Sequence, residues 1–282
     1  MVLSSGGDVV LLVVSAIAGL LGALGGVGGG LLVVPALTLF FGVDIRLAAG
    51  ASIVAVIATS SGAAAAYVRE GLANIRIGMF LELATTSGAV VGAVLAGVLP
   101  QSALLLVLGA VLLVSAGLQL VRLADESPWA DAGALPDRGL RLSGLFYSVR
   151  LQRQVSYVAR RVPLGFGIMA GAGLISGLLG IGSGALKVLA MDGAMGLPMK
   201  VSSATSNFMI GVTAAASAGI YLARGDVDAT IAAPVALGVL IGALAGSRLL
   251  VRLSNRTIRI IFLPILLLIA AETLLRGLGV GV

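Results

Sequence analysis

Hydrophobic runs, interrupted by glycine clusters, prolines and charges, divide the chain into ten segments. The first five cover about 8–25, 28–41, 47–68, 77–99 and 102–121. A polar interval follows, and then come about 163–179, 184–196, 201–222, 229–251 and 257–275. A bilayer core of about 30 Å needs roughly 20 helical residues. Segments three, four, five, eight, nine and ten meet that length, whereas segments two and seven, at about 13 residues, are too short to span alone.

The second half repeats the first. A shift of 154 positions, without a gap, superposes GVGGG at 26–30 on GIGSG at 180–184. The same shift matches Ser52 to Ser206, Thr59 to Thr213, Tyr67 to Tyr221, Gly42 to Gly196, Gly71 to Gly225, Gly88 to Gly242 and Gly92 to Gly246. One such match among Gly- and Ala-rich helices means little, but Thr, Tyr and turn glycines in one register mark a duplication. The chain divides into a first repeat at 1–122, a linker at 123–162 and a second repeat at 163–282.

Composition fixes the environment. Of 282 residues 59% are hydrophobic and 11% charged, with a mean hydropathy of +1.14. A soluble domain is about 45–50% apolar and about 25% charged, so the fold class is an all-α polytopic membrane protein. With neither Cys nor His, thiolate catalysis, disulfides, haem ligation and His-based metal sites are excluded, and no cofactor is expected. A rhomboid-like or zinc protease would need His, and no phosphotransferase cluster is present, so an enzyme is not expected. Met1 to Asp8 lacks a basic n-region, so the first apolar segment is expected to stay in the mature protein.

The net charge of +6 would suggest nucleic acid in a soluble protein, but here it reports orientation. If the interval 123–161 is cytoplasmic, alternate crossing puts the loops 69–76 and 252–256 and the turn at Lys200 on the same side. That side then holds 14 of the 18 basic residues. Arg46, Arg224 and Arg276 fall outside it, and Lys187 lies within a segment. Each half needs five crossings, or three and a re-entrant pair, which inverts the second repeat and puts both termini outside. Within the linker, Leu145 to Leu151 alternates weakly, as a hairpin or a basic amphipathic stretch on the inner leaflet would.

Three sets of residues are candidates for function. Gly28 and Gly30, with Gly182, Ser183 and Gly184, break helices at equivalent places in the two halves. Paired breaks of that kind point to a transporter's binding site, and free N–H groups at a helix start suit an anion. The competing reading is close helix packing by small residues. Lys187 lies three residues past the second break and near the midplane, where a charge costs at least ~2.5–3.5 kcal/mol and so usually serves a cavity. It could instead pair with Glu82 or Asp192, both candidates for coupling to an ion, either proton or sodium. The third set is Ser52, Thr59, Ser206, Asn207 and Thr213, which either strip water from an oxyanion or hydrogen-bond between helices.

The stretches GLISGLLGIGSG at 173–184, GLPMKVSSATSNFMIGVTAAASAGIYLARGDVD at 196–228 and APVALGVLIGALAGSRL at 233–249 resemble the TauE/SafE family of sulfite and sulfonate-related anion exporters. The resemblance covers both repeats, and Ser183 stands where many relatives have glycine. It implies export of a small sulfur-containing anion from a bacterial cytoplasm, driven by an ion gradient. The expectation is a secondary transporter in the cytoplasmic membrane, with membrane lipid, a small anion and a coupling ion as its partners. The alternatives are a passive anion channel, or a carrier of a non-sulfur organic anion, on the same fold. Small residues such as Gly88, Gly92, Gly242 and Gly246 leave open whether helices pack within one chain or in a homo-oligomer.

Overall fold

In the computed structural model, residues 5–25, 29–69, 71, 73–124, 142–148, 153–250 and 255–280 are described. The helices are α1 (Ser5–Gly25), α2 (Gly30–Phe40), α3 (Ile45–Arg69), α4 (Ile75–Val98) and α5 (Gln101–Ala124). Strands β1 (Ser143–Ser148) and β2 (Arg153–Val158) follow, then α6 (Val162–Leu179) and α7 (Gly184–Val188). A π-helix (Leu189–Ala194) continues α7 before α8 (Met199–Arg224), α9 (Ala229–Leu250) and α10 (Asn255–Gly277). Apart from one hairpin, the regular elements among the described residues are helices. By length and composition Ile75–Val98, Val162–Leu179, Val201–Arg224 and Ala229–Gly246 can each cross a membrane. Exposed apolar side chains run along α4 (Leu83, Val90, Val94) and α9 (Leu237, Ile241, Leu244), as an outer wall facing hydrocarbon requires.

Glycines set how closely these helices pack. A Cβ at Gly88 would strike the Ala170 carbonyl, and one at Gly92 the Leu174 carbonyl, where α4 lies against α6. In α9, Gly242 meets Ala16 and Gly246 meets Leu20 of α1 in the same way. Each contact is the other's counterpart at 154 positions, as are Gly173 against Thr85 and Gly19 against Val239. The turn glycines that matched under the shift also share a backbone state: Gly42 and Gly196 have φ of 62° and 68°, and Gly71 and Gly225 have 66° and 77°. That left-handed conformation favours glycine, so their agreement has a local cause besides common origin.

The two ends of the bundle differ in chemistry. At one end Arg46 donates to the Ala96 and Leu99 carbonyls at 2.9 and 2.7 Å, and Arg224 to Ala93, all at the C-terminal end of α4. Arg276 donates to Thr38 and Leu39 at the end of α2. These are the three arginines that stand apart from the basic side. A cation at a helix C-terminus both satisfies orphan carbonyls and complements the dipole. Nearby, Asp228 accepts from the Thr230 hydroxyl and N–H at the start of α9, which holds its carboxyl below the usual range.

At the other end the linker residues form a hairpin, with Ser143 opposite Val158 and Phe146 opposite Val155. Of the two forms open for this stretch, the strand pair is adopted. It is held by α4's capping residue: Asn74 accepts from Ile77 N–H at 3.0 Å and donates through Nδ2 to the Tyr157 hydroxyl at 2.9 Å. Asn74 N–H also donates to Thr205 of α8 at 3.0 Å, and Arg160 N–H donates to the Met195 carbonyl at 2.9 Å. Leu142 and Tyr157 pack with Ile77, Leu81, Met169, Met191, Met195 and Met209 in an apolar cluster beneath the hairpin. Burial pushes the Tyr157 phenol up, so it stays neutral. Tyr157→Phe is expected to cost about 1 kcal/mol for one lost hydrogen bond. Asn74→Ala should cost more, because it removes the cap as well. Hydrogen exchange of residues 143–158 should quicken in both variants and most in Asn74→Ala.

Candidate functional site

The start of α2 lies beside the interruption between α6 and α7. In the second half α6 ends on Gly180 (φ 67°), Gly182 follows at φ 76°, and Ser183 caps α7 at φ 43°. A serine held left-handed is uncommon and needs its surroundings to hold it there. In the first half α2 starts at Gly30, while Gly28 lies outside the described residues. The Ser52 hydroxyl of α3 donates to the Gly180 carbonyl at 2.8 Å and lies 3.5 Å from that of Gly30, so one side chain ties the two breaks together. Its counterpart Ser206 on α8 donates to the Gly184 carbonyl at 3.2 Å. From this meeting point α2 runs toward Arg276, whereas α7 and the π-helix run toward the hairpin.

Lys187 is fully buried and projects from α7 onto α8, where Nζ donates to the Thr213 hydroxyl at 2.5 Å. That hydroxyl donates in turn to Glu82 Oε1 on α4, also at 2.5 Å. Thr86 donates to the same oxygen at 3.0 Å, while Glu82 Oε2 is buried with no hydrogen-bond partner. Among the described residues Lys187 and Glu82 are the only buried charged side chains. Such a pair is stable where each charge compensates the other and their polar atoms are satisfied. Here one carboxylate oxygen remains open.

A small cavity lies beside the second break, on residues that flank Lys187. It has about 10 Å³ open to the centre of a water molecule and is lined by Leu31, Ser115, Ile181, Ser183, Gly184 and Leu186, among others. The hydroxyls of Ser115 and Ser183 are buried there without partners. One water needs about this much room and two or more polar partners.

The structure brings Gly30, Ser52, Gly182, Ser183, Gly184 and Ser206 together at the breaks, and Lys187, Thr213 and Glu82 in a relay beside them. Thr59 turns its hydroxyl to the Ala55 and Val56 carbonyls of its own helix. Asn207 is half-buried on α8, and Asp192 is half-buried on the π-helix, five residues past Lys187. Ser52 and Ser206 serve the breaks' backbone, which is the helix-to-helix role weighed against anion binding. Sequence reasoning passed over Thr86 and Ser115. Thr86 sits four residues from Glu82 and on its face, a detectable signal. Ser115, a single hydroxyl in the apolar run of α5, gives none.

Similarity to known proteins agrees with this architecture. The chain is 27% identical over 278 residues to the Bacillus subtilis (strain 168) protein named Probable membrane transporter protein YunE, covering 96% of this chain and 98% of that one. It is 29% identical over 224 residues to Probable membrane transporter protein YdhB of the same organism, covering 79% and 82% respectively. No solved structure matches. The model of the family described as Sulfite exporter TauE/SafE matches residues 11–273, nearly the whole chain with both breaks and the buried charge pair. The chain therefore belongs to the TauE/SafE family and is a membrane transporter.

Proposed function

We propose that the protein is a secondary transporter that carries a small sulfur-containing anion, such as sulfite or a sulfonate, across a bacterial cytoplasmic membrane by alternating access. The observation that carries this reading is Lys187, a fully buried cation beside two converging helix breaks. A helix broken inside a membrane is tolerated where its backbone faces protein or a cavity, and paired breaks in two repeats mark a carrier's binding site. The halves act as inverted repeats, with both termini outside and the linker inside. The glycine contacts that recur at 154 positions, and the opposite courses of α2 and α7, support this. Lys187 supplies the attraction, Ser183 and Gly184 shape the break, and Glu82 is the counter-charge that the anion displaces.

Thermal unfolding of the purified protein against sulfite, sulfate, thiosulfate, taurine, sulfoacetate and chloride tests the reading. A ligand at 100 times its Kd stabilises the native state by about 2.7 kcal/mol. One sulfur anion should raise the unfolding temperature selectively, and Lys187→Gln should abolish that rise. An equal rise in folded Lys187→Gln would remove Lys187 from the site.

A further inference from the structure

Resting on that transport reading, we propose that one proton crosses with each monovalent anion, in the same direction, and that Glu82 carries it, so that net transport moves no charge. In the state described here the site is neutral, since the Lys187 cation and the Glu82 carboxylate are joined through the Thr213 hydroxyl. An anion that docks on Lys187 Nζ takes over its positive charge. Glu82 is then a buried carboxylate without a counter-charge, the costly arrangement for any buried ion.

A proton relieves that cost, and the carboxylate has a place for it. Oε1 already accepts from Thr213 and Thr86, whereas Oε2 accepts from nothing. The proton comes from water on the side to which the site is open, binds Oε2, and leaves with the anion on the other side. Thr213 can follow the change, because its hydroxyl also lies 2.9 Å from the Met209 carbonyl and can donate there once Glu82 is neutral.

The site then has two neutral states: empty, with Lys187 and Glu82 both ionised, and loaded, with Lys187, the anion and a protonated Glu82. Anion without proton leaves the site at a net −1, and proton without anion leaves it at a net +1. Either charge would have to ride through the low-dielectric centre of the membrane during the conformational change. Coupling thus follows from which states can move, and the potential across the membrane has no charge to act on.

α6, packed along α4, carries no titratable side chain. Other ionisable residues on the surrounding elements are Asp192 on the π-helix, Arg76 at the hairpin end of α4, Lys200 at the start of α8, and Tyr221 and Arg224 toward its opposite end. Glu82 is joined to Lys187 through the Thr213 hydroxyl.

The test uses the full-length protein in liposomes, with methanesulfonate as probe, because it stays a monoanion at every working pH. Exchange of labelled for unlabelled methanesulfonate needs no net proton movement and reports transport alone. Net uptake is then followed with an internal pH dye, and about one proton should enter per anion. The rate should not respond to a potassium potential clamped with valinomycin. In Glu82→Gln the ratio of protons to anions should fall toward zero and the net uptake that remains should follow the potential, while Glu82→Asp should stay coupled. Exchange accompanied by potential-driven, proton-free uptake in the wild type overturns the proposal and leaves the transport reading standing. No exchange with methanesulfonate, sulfite or thiosulfate overturns both. Should Glu82→Gln fail to fold, the wild-type and Glu82→Asp measurements decide.

Discussion

Lys187→Met is expected to lower the stability of the purified protein by about 3–5 kcal/mol, and Lys187→Met combined with Glu82→Leu to recover most of that loss. The size follows from burial. An exposed ion pair contributes about 0–1 kcal/mol, but Lys187 is fully buried and Glu82 is 4% exposed. Removing the lysine leaves a buried carboxylate with no counter-charge and one oxygen already unpartnered. Removing both charges leaves apolar groups of similar volume, which is often neutral. Denaturant or thermal unfolding of the two single variants and the double variant measures the coupling directly. Equal losses in Lys187→Met and in the double variant would show that the two charges do not compensate one another. The double variant should also fail to respond to any anion, which separates the pair's role in function from its part in folding.

Gly177→Ala and Gly167→Ala, ten residues apart on α6, are expected to have opposite effects. A Cβ at Gly177 would fall on the Ala89 carbonyl of α4, where neither backbone can yield without parting the helices. Overpacking costs about 1–3 kcal/mol in typical cores, and a collision with backbone belongs at or beyond the upper end. Around Gly167 nothing lies within 4 Å, so alanine there should be neutral or gain up to about 1 kcal/mol of helix propensity. Gly19→Ala, which meets Val239 in the other half, should resemble Gly177→Ala. Thermal unfolding with size-exclusion profiles reads all three. A Gly177→Ala protein as stable as the parent would mean that α4 and α6 are not packed through their glycines.

Much of this fold is legible from hydropathy because lipid enforces a plain rule: apolar runs of one length become helices. The expected segment 77–99 is α4 at Ile75–Val98, and 229–251 is α9 at Ala229–Leu250. The segment 184–196 is the exception, since it divides into one α-helical turn and a π-helix. Periodicity cannot signal that change, because one added residue per turn disturbs too few positions. At the site, the break residues and Lys187 stand out because each violates a rule for membrane helices. The relay does not stand out: Glu82 and Thr213 are 131 residues apart, and nothing local to either names the other. The service of Ser52 to two carbonyls, one of them 128 residues away, is equally unreadable before the chain folds.

The two segments that leave the breaks are mechanically unequal. α2 is eleven residues of helix with nine of them buried, and Arg276 anchors its end, although Pro35 in its interior leaves one helical hydrogen bond unmade. Its counterpart has a five-residue α-helix and then a six-residue π-helix, whose wider turns are rare and less well bonded. Closing the π stretch to an α-helix would turn everything beyond it by about a quarter of a revolution, because one residue subtends about 100°. The second segment is thus the compliant spring and the first the rigid post. A change in the turns of the second segment would reach Met195, whose carbonyl accepts from Arg160 N–H beside the hairpin.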